Sequence, residues 1–219
     1  IAYHFPQMHP ETHYLTYNNF DTSKKNADKN ITSLISDIQR QLAGRYSDPS
    51  ISHYLKNYGY VPLWVLNNIL TLGTISKFYS LMQQKERQEI SKTFHLTDKE
   101  LENILTYISS IRNFSAHGNR LFCFRSKRPL IDTYLHIEMN LPKTEKGEYK
   151  YGKRDLFAVM IALKLTVSNR EFRRLVKDVD IALKNLYHYT SVLTKETILM
   201  SMGFPENWKD LLLESSANS

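Results

Sequence analysis

The chain has 219 residues, of which 42% are hydrophobic. That is long enough to bury a real core, and no apolar run reaches the length of a membrane span. The formal net charge is +7 and the sequence pI is about 9.3, which points to a polyanionic partner, RNA or DNA first. One cysteine, Cys123, excludes an intrachain disulfide and fits a reducing cytoplasm, the expected location.

The first seventeen residues hold His4, His9 and His13, at separations that match no compact metal motif, with no cysteine or carboxylate pair to complete a site. No metal and no cofactor is expected. Nor do these residues show the basic region and apolar core of a signal peptide. After a polar stretch, Ile31, Leu34, Ile35, Ile38 and Leu42 mark an amphipathic helix ending near Gly44. Ser47 to Ser50 reads as a turn. His53 and Tyr54 follow on a short segment that ends near Gly59.

Pro62 is placed to start a helix, and Leu63 to Leu72 is apolar nearly all round, which predicts a central buried helix with Trp64 in the core. Gly73 is expected to break it, with Thr74 capping the next helix through about Met82 and Phe78 again in the core. A short charged helix, 85 to 94, leads to Thr97. There Thr97 and Glu100 form a capping box, opening a helix whose stripe is Leu101, Ile104, Leu105, Ile108 and Ile111.

Beyond Phe124 the pattern is harder to read. Residues 130 to 152 alternate in part and suit a small β-hairpin or a long loop. Residues 155 to 167 form an apolar helix. Ser168 or Asn169 caps the next, with Phe172, Leu175, Val176, Val179, Leu183, Leu186 and Tyr187 on one face. Thr194 to Met202 forms a last full helix, and Gly203 stops it. Scarce Gly and Pro, at 7 each, agree with an all-α protein.

The most informative stretch is Ser109 to Phe122. One step of four beyond Ile108 stands Arg112, where the stripe predicts an apolar residue and a guanidinium needs a partner or a cleft. Asn113, His117 and Arg120 follow at helical spacing. Arg112 and His117 are five apart, which on a straight helix turns the two side chains about 140° from each other. Arg125, Lys127 and Arg128 form a basic cluster close by in sequence.

The string Arg112-Asn113, three residues, then His117, resembles the signature of HEPN ribonucleases. More closely, the chain resembles the abortive-infection (Abi) proteins of bacterial phage defence, of the AbiD/AbiF kind. Three further blocks carry that likeness: His53-Tyr54 with Val61-Pro62-Leu63-Trp64-Val65, then Leu72 to Tyr79, and Met202 to Trp208. The blocks run from about residue 50 to the C-terminus, and residues 1–49 match less specifically. Ile1 is not an initiator Met, and the resemblance implies further helix before it, so the chain reads as N-terminally truncated or incomplete.

The resemblance implies a single helical domain over 1–219, an all-α, HEPN-like bundle with at most a small β-hairpin insertion near 130–152. It implies a metal-independent endoribonuclease that leaves 2′,3′-cyclic phosphate and 5′-OH ends. Arg112, His117 and Asn113 are then the catalytic residues. Beside the resemblance, Arg120, Arg125, Lys127 and Arg128 are the expected RNA-binding residues from their charge and nearness to His117, with a solvated loop the equal alternative for the 125–128 cluster. The chemistry is economical, because RNA supplies its own 2′-OH nucleophile. A histidine moves the proton and an arginine fork holds the phosphate. One string supplies one histidine, so acid and base together imply a homodimer with two motifs facing each other. Asn119 replaces the tyrosine that some HEPN toxins use in their neutralisation, so that regulation is not carried over. The alternative is an RNA-binding protein in a ribonucleoprotein with a structured non-coding RNA, its nuclease absent or suppressed. No membrane partner is expected in either case.

Overall fold

The computed structural model describes residues 1–215 except Glu11 and Ser191. Among the described residues the protein is all-α. Its contacts gather into two compact units, Ile1–Thr106 and Tyr107–Ser219.

The first unit begins with α1 (Phe5–Met8) and a 3-10 turn at Tyr17–Asn19, followed by α2 (Ala27–Gly44), α3 (Pro49–Tyr58), α4 (Leu63–Leu66), α5 (Leu72–Leu81) and α6 (Gln84–Lys92). Then comes α7 (Asp98–Ala116), which runs on into the second unit. Phe5, Phe20 and Phe78 meet at centroid distances of 5.0–6.1 Å and are buried, each burial worth roughly 1.5–3 kcal/mol. The expected turn at 47–50 is the start of α3, where the Asp48 carboxylate accepts from the Ser50 and Ile51 N–H groups and Pro49 occupies the first turn.

Three expectations fail here. The helix predicted over 63–72 stops at Leu66, and Asn67, Asn68 and Ile69 continue as tight turns; Asn68 and Ile69 donate three residues back. Asparagine prefers such turns to a helix interior. Gly73 does not break a helix but sits in the first turn of α5, because Thr71 is the cap and its hydroxyl accepts from Thr74 N–H at 3.1 Å. Trp64 is not core: it is 52% exposed, whereas Phe78 is buried as expected. The amino-terminal histidines have ordinary roles, with His9 Nε2 paired to the buried Glu86 carboxylate. Glu86 caps α6 from within by accepting the Gln83 N–H.

The second unit adds α8 (Tyr134–Glu138), α9 (Leu156–Lys164), α10 (Asn169–Tyr189), α11 (Lys195–Met202) and α12 (Trp208–Glu214). Of the two caps read from the sequence Ser168 is the one used, joined by Glu171 in a capping box, and Phe172, Val176 and Leu183 are buried while Leu186 of the expected stripe is 39% exposed. Lys164 lies buried over the Phe172 ring and donates to the Leu212 carbonyl at 2.8 Å, which ties α9, α10 and α12 together.

The hairpin expected near 130–152 is absent. Among the described residues there is no strand, and an antiparallel bridge between Lys143 and Tyr149 is all that remains of it. The reason lies at Thr133 and His136, which form a capping box that starts α8 instead. Thr133 N–H donates to His136 Nδ1 at 3.1 Å, so the proton sits on Nε2, which donates to the Gly152 carbonyl at 2.9 Å. The ring is fully buried, and burial pulls its pKa below the usual histidine value.

A depressed histidine stabilises the fold above its unfolded pKa of about 6.5, and that stability is lost as the pH falls through the folded value. His136→Gln keeps an acceptor at the capping position and cannot titrate. Its thermal midpoint should therefore fall less than that of the wild type between pH 7.5 and 5.5. Parallel melting curves with equal losses would show that His136 does not carry this term.

Candidate active site at the end of α7

Helix α7 starts as the sequence indicates. Thr97 N–H donates to Glu100 Oε2 at 2.8 Å, and Glu100 N–H donates to the Thr97 hydroxyl at 3.2 Å. Its buried face runs Leu101, Ile104, Tyr107, Ile111, and the Tyr107 hydroxyl donates to the Asp155 carbonyl at 3.1 Å. Leu105 and Ile108 lie at the flank, only half-buried. The core stripe is therefore rotated toward Tyr107, and Arg112 falls outside it. Arg112 is exposed rather than wedged into an apolar face, so no desolvation penalty acts on it.

The helix ends at the string itself. His117 N–H donates to the Asn113 carbonyl at 3.2 Å, completing the last turn. Gly118 follows with φ +68°, a left-handed conformation that L side chains rarely adopt. Asn119 Nδ2 then donates to the Phe114 carbonyl at 3.1 Å, satisfying a carbonyl left over at the helix end. All of Arg112, Asn113, His117 and Arg120 are exposed. Phe124 turns the chain back into the core, edge-on to Phe114 at 5.0 Å.

The structure brings together one pair of the predicted site residues: Arg112 Nη1 donates to Asn113 Oδ1 at 3.3 Å. Among the described residues no hydrogen bond joins Arg112 to His117. His117 lies one residue past the end of α7 at Ala116.

The basic residues divide into two kinds. Arg125 is engaged, its guanidinium donating to the carbonyls of Phe124 at 2.8 Å and Ser201 at 3.2 Å, the latter in the last turn of α11. There a cation also suits the negative end of the helix dipole. Lys127 and Arg128 are exposed on a loop that Arg154 holds, since its guanidinium donates to the carbonyls of Ser126 and Lys127. Arg154 was not legible as part of this loop, because the pairing spans 27 residues of sequence. Charge is uneven along the chain. Residues 107–219 carry 18 Lys and Arg against 12 Asp and Glu, a net +6 of the total +7.

Among the described residues no group of three or more His, Cys, Asp or Glu is placed to hold a metal ion, and no helix is long and apolar enough to cross a membrane. No curated protein and no solved structure gives a significant match to the chain. The matched region of a family model covers residues 1–123, so it reaches through the first 49 residues and the whole string from Arg112 to Phe122, and leaves Met202 to Trp208 outside. The chain belongs to the family described as Abi-like protein.

Proposed function

We propose that this protein is an abortive-infection effector of the HEPN type, a cytoplasmic endoribonuclease that acts as a homodimer without a metal. The observation that carries the reading is the exposed Arg112-Asn113 pair and His117 at the capped end of α7, inside the span that the family model matches. In this reading Arg112 holds the scissile phosphate and Asn113 orients the guanidinium through its bond to Nη1. His117 takes the 2′-OH proton or gives one to the leaving 5′-oxygen. The 2′-oxygen then bonds to phosphorus as the bond to the 5′-oxygen breaks, leaving a 2′,3′-cyclic phosphate and a 5′-OH. Because one string supplies one histidine and acid and base together need two, a second copy supplies the other half of the site. End-group analysis of RNA treated with purified protein tests this. Cyclic phosphate ends support it, and 3′-OH ends exclude it.

A second reading, an RNA-binding protein in a stable ribonucleoprotein, is favoured by the exposed Arg120, Lys127 and Arg128 and by the +6 charge of residues 107–219. Phosphate contacts release counterions, so affinity for RNA should fall steeply with salt. Arg125 is a poor choice for testing this, because it also holds Ser201. Changing Arg120, Lys127 and Arg128 to Ala should weaken RNA binding and flatten its salt dependence by roughly one unit of slope for each phosphate contact removed. An unchanged slope would place the RNA elsewhere. Identifying the nucleic acid that co-purifies with the protein separates the two readings: a defined RNA that is bound and never cut favours the second.

A further inference from the structure

The structure places an aromatic cluster on the surface of the first unit. His53, Tyr54 and Tyr58 stand on α3, and Trp64 on α4. Tyr54 meets His53 at 5.4 Å, Tyr58 at 5.5 Å and Trp64 at 5.8 Å between ring centroids, and His53 meets Tyr58 at 6.0 Å. Asn57 Nδ2 donates to His53 Nδ1 at 3.1 Å and so fixes the imidazole. Trp64 is 52% exposed and Tyr58 60% exposed. All four contacts are edge-on or tilted rather than parallel stacks.

Two further features narrow what such a cluster takes. Among the described residues of the first unit, the large hydrophobic side chains that are exposed are Tyr3, Met8, Tyr46, Tyr58 and Trp64, all but Met8 aromatic. A face for a partner helix or a lipid surface would carry aliphatic residues as well, as the second unit does at Ile137, Ile181, Val192 and Met200. Moreover, no Asp or Glu occurs from Pro49 to Lys85, while Lys56 is exposed on α3 itself. Past the Asp48 cap of α3, rings with polar tips beside an exposed lysine are the chemistry of base stacking.

We propose that His53, Tyr54, Tyr58 and Trp64 form a stacking platform for unpaired bases of single-stranded RNA. The inference rests on the reading that RNA is the partner, and adds a second site that works by stacking rather than by phosphate charge. Residues 1–106 carry 11 Lys and Arg against 10 Asp and Glu, so charge alone would not draw RNA there.

The chain has two tryptophans, Trp64 and the buried Trp208, so intrinsic fluorescence reports on the platform directly. The probe is a 2′-O-methylated oligouridine of about 12 nucleotides, within the range of single-strand site sizes. It stacks but has no 2′-OH to be cleaved. It should quench the exposed tryptophan, and a duplex of the same length should not. Trp64→Ala and, separately, Tyr58→Ala should weaken binding roughly 5- to 100-fold, the scale for losing one stacked base, with the salt slope unchanged. Trp64→Phe should bind and lose the quench. Binding without quenching, together with unchanged affinity in Trp64→Ala, overturns the platform and leaves the RNA reading intact. No binding of any RNA overturns both. A fluorescence shift with anionic phosphatidylglycerol vesicles and none with RNA overturns the platform in favour of a membrane surface.

Discussion

Replacing His117 with alanine should lower RNA cleavage at least about a hundredfold, the usual scale for losing a general acid or base. Arg112→Ala should do much the same, because the arginine fork is what neutralises the phosphate as charge builds on it. Arg112→Lys should not restore activity, since an ammonium cannot reproduce the planar two-point contact. Both side chains are exposed and neither belongs to the buried stripe of α7, so the variants should keep the helical circular dichroism of the wild type. EDTA should leave wild-type activity unchanged, because the 2′-OH needs no metal-bound water as nucleophile.

A sharper test follows from geometry. Within one chain Arg112 is bonded to Asn113 and not to His117. If Arg112 of one copy completes the site around His117 of the other, mixing the two inactive variants gives mixed dimers that keep one Arg112 and His117 pair and lack the second histidine. No recovery of activity in the mixture is the expected result where acid and base come from different copies, and recovery would show that one His117 serves as both. Full cleavage by His117→Ala, or cleavage that requires added metal, would overturn the mechanism and leave the RNA-binding reading in front.

Local signals in the sequence were the ones that survived. Thr97 with Glu100 and Ser168 by itself place helix starts correctly, because each satisfies backbone donors within three residues. Periodicity found the buried Phe172, Val176 and Leu183, although Leu186 of the same stripe is exposed. What failed was partly local, as with the Thr71 cap and the turns from Asn67 to Ile69, and partly dependent on distant partners. Trp64 looks like core beside Leu63, Val65 and Leu66, which are buried, and nothing local shows that its own direction on α4 faces solvent. The alternation at 130–141 suggested a strand, yet His136 finds the Gly152 carbonyl 16 residues away and a capping partner in Thr133, and that pair decides for helix. At the site, the string itself was visible. The rotation of the buried stripe onto Tyr107 was not, because it is set by the bond from Tyr107 to Asp155, 48 residues on. Arg112 is consequently exposed where the spacing put it against the core.

Gly203→Ala should be the most damaging small substitution in the second unit. Asp155 caps α9, its carboxylate accepting from Ala158 N–H at 2.9 Å and Gly152 N–H at 3.1 Å, and burial lifts its pKa to about 6. Gly203 closes α11 with φ +76° while Phe204 N–H returns to the Leu199 carbonyl at 2.8 Å. Its bare Cα is packed against that same aspartate. A Cβ there would lie 2.7 Å from Asp155 Cγ and closer still to its Cβ. Asp155 cannot retreat without releasing the hydrogen bonds that start α9. The left-handed backbone adds about 1–2 kcal/mol for any residue with a Cβ, and forced overpacking about 1–3 kcal/mol more. Together they predict a loss of roughly 2–5 kcal/mol, a drop in Tm on the order of 5–15 °C for a chain of this size. Gly44→Ala is the control, since its backbone is ordinary and a Cβ would meet nothing within 4 Å. It should melt with the wild type or slightly above it. Equal melting of Gly203→Ala and wild type would mean that Asp155 is free to move, and that the tie between the end of α11 and the start of α9 is not what holds the second unit together.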